Sequence, residues 1–231
     1  MPKLIKLEMK KYKIGGYIRG ALIANLVLIV MLLIILFGSR IDGKLAFNNY
    51  NMAFMLMGNI VKAPIIVLAS VMLSRFVIEE YKTGTITLLF MYPINRKKLL
   101  WAKLIIVFIF ALISTFLTSI VIDSMLIIIN NIFRFIPGKL TITVLLYNSI
   151  SICTNSLTTA GMSLIPLFFG LKKKSTAATV ISSLLIVAIV CSNFGGFSLG
   201  SIIATPITLA VIGILIAYLT IRNVEHIDVT N

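Results

Sequence analysis

Six stretches of this chain stay apolar for about the length needed to cross a lipid bilayer, and that decides what it can fold into. They cover 19–38, 52–78, 104–130, 141–171, 175–193 and 202–221. A spanning helix needs about 20 apolar residues for the roughly 30 Å hydrocarbon core. Six such helices in 231 residues leave little chain for a soluble domain. The expected fold class is therefore all-α integral membrane, with 1–231 as one transmembrane domain. Only 12% of residues are charged, about half the usual share of a soluble domain. The second and fourth stretches are overlong, so tilt, a kink or an extramembrane extension is expected.

Short loops report orientation, because cytoplasmic connections collect Lys and Arg. Six lie in the N-terminal stretch through Arg19, six between Arg75 and Lys103, three at Lys172 to Lys174 and one at Arg222. These sixteen face four on the other side, Arg40, Lys44, Arg134 and Lys139. Both termini are thus expected in the cytoplasm. The net charge of +14 sits in these loops, which fits anionic lipid and gives no reason to invoke nucleic acid. The first apolar run ends at Gly38-Ser39-Arg40 without a small-residue cleavage site, so it reads as a retained span.

Residues 1–18 suit an interfacial helix. Lys3, Lys6, Lys10 and Lys13 share one face, while Leu4, Ile5, Met9 and Tyr12 gather on the other. Gly15-Gly16 would then turn the chain into span one. The connection 79–98 is more distinctive. Glu79-Glu80-Tyr81-Lys82-Thr83-Gly84-Thr85 precedes the apolar run Ile86 to Tyr92, then Pro93 and the basic Arg96-Lys97-Lys98. A run of seven residues cannot cross a membrane. A short helix capped by Thr83 or Thr85 and ended by Pro93 is expected, either lying on the bilayer or fitting a groove of another protein.

Inside the spans, Lys62 and Asp123 stand out because ionisable groups there are costly. They lie 17 and 20 residues from the Glu79 and Lys103 ends of their segments, about 25–30 Å up at 1.5 Å per residue. They either reach the outer interface separately or pair. Span four carries Asn148, Ser151, Asn155 and Thr158 along one face, either for helix packing or as the wall of a substrate path or a dimer seam. Cys153 and Cys191 are expected to pack as small apolar residues.

Catalysis has little to work with. His226 is the one histidine. Glu79-Glu80 has the paired glutamates of some intramembrane proteases, but Gly84 stands where an arginine would follow. Gly38 to Leu45 has phosphate-loop spacing, yet Leu45 replaces the hydroxyl that would hold Mg²⁺. The chain is not expected to be an enzyme or to bind a cofactor or metal.

Six spans, cytoplasmic termini, an amphipathic N-terminal segment and no ATP site together resemble the permease subunit of ABC-2-type ABC transporters. The sharpest match is the acidic Glu79 or Glu80, Gly84-Thr85, the apolar stretch, Pro93, Arg96, and Lys103 entering span three. The resemblance implies that 79–98 is a coupling helix docking on an ABC nucleotide-binding subunit, in two copies, that carries the ATP and Mg²⁺. Its docking residues would be Glu79, Glu80, Tyr81, Gly84, Thr85, Leu88, Leu89, Pro93 and Arg96. It also implies pairing with a second permease copy or paralogue. The segment 194–201, with Phe194, Gly195, Gly196 and Phe197, would be a re-entrant outer gate. The small size further resembles Gram-positive exporters in lantibiotic or bacteriocin immunity and phenol-soluble modulin export. A hydrophobic or amphipathic peptide substrate at the bacterial cytoplasmic membrane follows from that likeness.

A non-transporting immunity or regulatory protein that binds a peptide or partner is the alternative. The topology is checked by cysteine labelling after both native cysteines are replaced by serine. Lys44→Cys and Lys139→Cys should react with an impermeant maleimide in intact cells, and Lys82→Cys and Lys173→Cys only after permeabilisation.

Overall fold

The computed structural model describes residues 8, 15–41, 47, 49–82, 96–137, 140–191, 193–194, 197–198 and 204–223. These form a helical bundle: α1 (Gly15–Ile41), α2 (Tyr50–Leu73), α3 (Arg96–Phe133), α4 (Ile142–Met162), α5 (Pro166–Lys173), α6 (Thr176–Cys191) and α7 (Ala204–Asn223). Helix α2 runs on through a π-helical turn, Ser74–Ile78, and a last α turn, Glu79–Lys82. A two-residue ladder, β1 (Asn193–Phe194) against β2 (Phe197–Ser198), is the only strand pairing among the described residues.

Among those residues, five helices are long and apolar enough to span, rather than six. The fifth expected segment yields α6, only 16 residues long, or about 24 Å at 1.5 Å per residue. The chain leaves helix at Cys191 and enters the β1–β2 ladder, so the described part of 194–201 is strand rather than a re-entrant helix. Gly15 and Gly16 also differ from expectation, since they begin α1 instead of bending the chain ahead of it. Of the expected interfacial helix 1–18, residues 1–7 and 9–14 lie outside the described residues.

The two overlong segments are broken in different ways. In the second, the π turn absorbs an extra residue without ending the helix. In the fourth, turn residues Ser163 to Ile165 separate α4 from α5, and Pro166 starts the new helix where its missing N–H costs nothing. Lys174 takes the left-handed conformation that ends α5, with φ 45°.

Helix α2 is central, packed by α1, α3, α4 and α6. Helix α1 buries a stripe, Leu28, Leu32 and Leu36, spaced four apart, with Ile29 and Ile35 packed beside it. Many of its other large residues face outward, among them Leu22, Leu26 and Ile34, as do Ile142, Leu146 and Ile150 of α4. The interior holds many small hydroxyls, as membrane helices require when lipid rather than water surrounds them. Ser70 of α2 donates to Ser183 of α6 at 2.9 Å. Asn130 of α3 donates to the Tyr50 hydroxyl and accepts from the Ile136 N–H at 2.7 Å, which fixes the turn after α3. Beside that turn, Phe37 meets Phe133 and Phe135 edge-on, and Arg40 lies over the Phe135 ring. Cys153 and Cys191 are exposed rather than packed inside.

Helices α4 and α7 touch backbone to backbone. A Cβ on Gly161 would stand 2.7 Å from that of Ala210, and one on Gly213 would collide with the Gly161 carbonyl. Gly213→Val should therefore destabilise the fold by about 1–3 kcal/mol or more, seen as a lowered melting midpoint in detergent. Gly38→Ala, where a Cβ meets nothing, should leave the midpoint unchanged.

Candidate functional site

Two polar assemblies are built into the bundle, one at each end of α2. The first is a cleft of about 450 Å³ between α2, α4 and the start of α7. Asn148, Ser151, Asn155 and Thr158 all line it, so the polar face read from the sequence forms one wall. Asn59 of α2 stands in the facing wall, with Met52, Met55, Ile150 and Ile207 among its apolar lining. The Asn155 amide donates to Ser151 Oγ at 3.3 Å, and the Thr158 hydroxyl donates to the Asn155 carbonyl at 3.0 Å. Gly58 makes room for this wall, since a Cβ there would lie 3.1 Å from Asn155 Nδ2.

Lys62 and Asp123 sit behind the cleft. They neither pair with each other nor reach out to an interface, because both are buried, at 1% and 8% exposure. Each has found an amide instead. Lys62 Nζ donates to Asn59 Oδ1 one helical turn away at 3.0 Å, and Asp123 Oδ2 accepts from Asn148 Nδ2 at 2.8 Å. A partner on the same turn or the adjacent helix satisfies a buried group without reaching across the bundle. Asn59 escaped the sequence reading, although its position three residues before Lys62 was the available signal.

The second assembly lies at the other end of α2. Lys103, from the first turns of α3, is fully buried. Its Nζ donates to the Phe76 carbonyl at 2.8 Å and forms an ion pair with Glu80. Phe76 belongs to the π turn. Its ring also meets Tyr17 of α1 edge-on, with centroids 5.8 Å apart. One lysine thus joins α3 to the last two turns of the α2 segment, at a level where α1 also packs.

Glu80, expected at a docking surface, is turned inward at 7% exposure. Glu79 is outward-facing. Tyr81 lies in the same final turn and Arg96 opens α3. Gly84, Thr85, Leu88, Leu89 and Pro93 fall outside the described residues. Gly195 and Gly196 do too, while Phe194 and Phe197 pair across the ladder.

Removing one member of a buried ion pair leaves the other uncompensated, at about 3–5 kcal/mol. Lys103→Met alone should therefore lower the melting midpoint sharply. The double variant Lys103→Met with Glu80→Leu should recover most of that loss, and a double-mutant cycle measures the coupling. Additive losses would mean that the contact contributes nothing.

Comparison with known proteins agrees with this architecture. Residues 4–192 match the family described as ABC-2 family transporter protein. The chain is 40% identical over 225 residues to the uncharacterized protein YcbO of Bacillus subtilis (strain 168), covering 97% of this chain and 99% of that one. No solved structure matches. A bundle of apolar helices with its polar groups turned inward, matched over most of its length, makes this chain a multi-pass membrane protein of the ABC-2 transporter family.

Proposed function

We propose that this chain is the permease half of an ATP-driven exporter and that two permease units, identical or paralogous, work with two separate nucleotide-binding subunits. ATP and Mg²⁺ then belong to those subunits. Family membership supports the permease role. The observation that carries the coupling is the buried Lys103 joint, which ties the connection 79–98 to both helices that it links.

Docking in this reading falls to the outward Glu79 and to the segment around Gly84 and Pro93. Glu80 acts from within. A push on the connection is passed through Glu80 and Lys103 to α3 and through the π turn to α2. The π turn is a natural place for such movement, because its wider hydrogen bonding has α-helix as a close alternative. At the far end of the same two helices lie Asn59, Lys62 and Asp123, so the stroke arrives at the polar cleft. The Phe194–Phe197 ladder would border the outer exit. The cargo is a hydrophobic or amphipathic peptide moving outward, consistent with a cleft that joins a polar wall to methionine and isoleucine side chains. Cytoplasmic termini put the Glu80 end on the ATPase side.

Co-expression with a candidate ATPase tests this. The pair should co-purify in detergent, and ATP hydrolysis should depend on the permease. Gly84→Trp should abolish both while the variant still inserts in the membrane. Glu80→Leu with Lys103→Met should keep co-purification but lose at least tenfold in transport. Full transport by the permease alone would defeat the reading.

A further inference from the structure

The cleft between α2, α4 and α7 carries two asparagines whose orientation is fixed from behind. Asn59 and Asn148 are more than nine-tenths buried, and both line the cavity. An asparagine side chain has one acceptor oxygen and one donor nitrogen. In Asn59 the oxygen is taken by Lys62 at 3.0 Å, so Nδ2 is left as the free end. In Asn148 the nitrogen is taken by Asp123 at 2.8 Å, so Oδ1 is left. Neither remaining atom is among the enclosed polar atoms that lack a partner, and the residues that carry them both line the cleft. One wall thus offers a hydrogen-bond donor and another an acceptor, while the ionisable groups stay behind them.

We infer that this cleft binds a neutral backbone amide of an apolar peptide, with Asn59 Nδ2 donating to its carbonyl and Asn148 Oδ1 accepting from its N–H. Several features favour an amide. A carboxylate or ammonium ligand would be better served by Lys62 or Asp123 facing the cavity, and both are withheld. A pure hydrocarbon would leave two buried polar atoms unsatisfied, which is costly. A secondary amide satisfies both, and the apolar lining takes its side chains. Lys62 and Asp123 are positioning residues here, since each holds an amide in one of its two flips. The inference rests on the exporter reading only for the source of the ligand.

The test is equilibrium binding to the full chain in lipid nanodiscs, corrected for uptake by empty discs. The probe is a fluorescent, N-acetylated leucine–alanine pentapeptide closed at its C-terminus as a dimethylamide. Its backbone N-methylated analogue lacks the N–H groups and should bind at least tenfold more weakly. Asn59→Asp keeps an acceptor for Lys62 but replaces the donor in the cleft, so it should retain the fold and lose at least tenfold in affinity for the parent peptide. Equal binding of parent and N-methylated peptides by the unaltered chain overturns the proposal, whatever the variant does. So does a folded Asn59→Asp variant that binds as the parent chain does. Preference for an N-alkyl fatty amide over the peptide would overturn the peptide as occupant. No ATPase enters the measurement, so a failure of the coupling reading leaves this result standing, and the reverse.

Discussion

Hydrocarbon offers no hydrogen bonds, so a polar atom inside a membrane protein is satisfied by the protein or not at all. Much of this bundle follows from that constraint. The hydroxyls of Ser156, Thr158, Ser163 and Ser182 turn back to carbonyls of their own helices, and Ser70 reaches Ser183 across a helix contact. Lys103 is the strongest case. A fully buried lysine is tolerated because a carboxylate and the Phe76 carbonyl of the π turn both accept hydrogen bonds from it.

The same constraint connects the two ends of the molecule. Helices α2 and α3 carry the Lys103 joint at one end and the Lys62 and Asp123 pairs at the other. Each end uses ionisable groups as internal fasteners rather than as surface charges. A shift of α3 against α2 would strain the Lys103 joint, and one of α3 against α4 the Asp123–Asn148 bond, while the Lys62–Asn59 bond lies within α2 itself.

Hydropathy made most of the helices legible, because a run of apolar residues is a direct record of contact with lipid. The polar face from Asn148 to Thr158 was legible for a related reason, as helical spacing survives burial. The break at Ser163 to Ile165 was harder to see, since the sequence stays apolar across it and Pro166 is also tolerated inside spans. The partner of Asp123 was hidden because depth along a helix says nothing about rotation around it, whereas Asn59 stood one turn from Lys62 on the same helix. Glu80 and Lys103 were both visible as motif members, yet their pairing depends on how an intervening connection folds back. Nothing in one dimension reveals that a carboxylate beside an exposed glutamate points inward.

The contact of Gly161 with Gly213 and Ala210 bears on the cleft. The two backbones meet there with no more than a methyl group between them, along one of the bundle's most extensive helix contacts. Neither glycine lines the cleft, which Asn148 and Pro206 of the same two helices border. The separation of those walls is thereby set by the absence of side chains at two positions outside it.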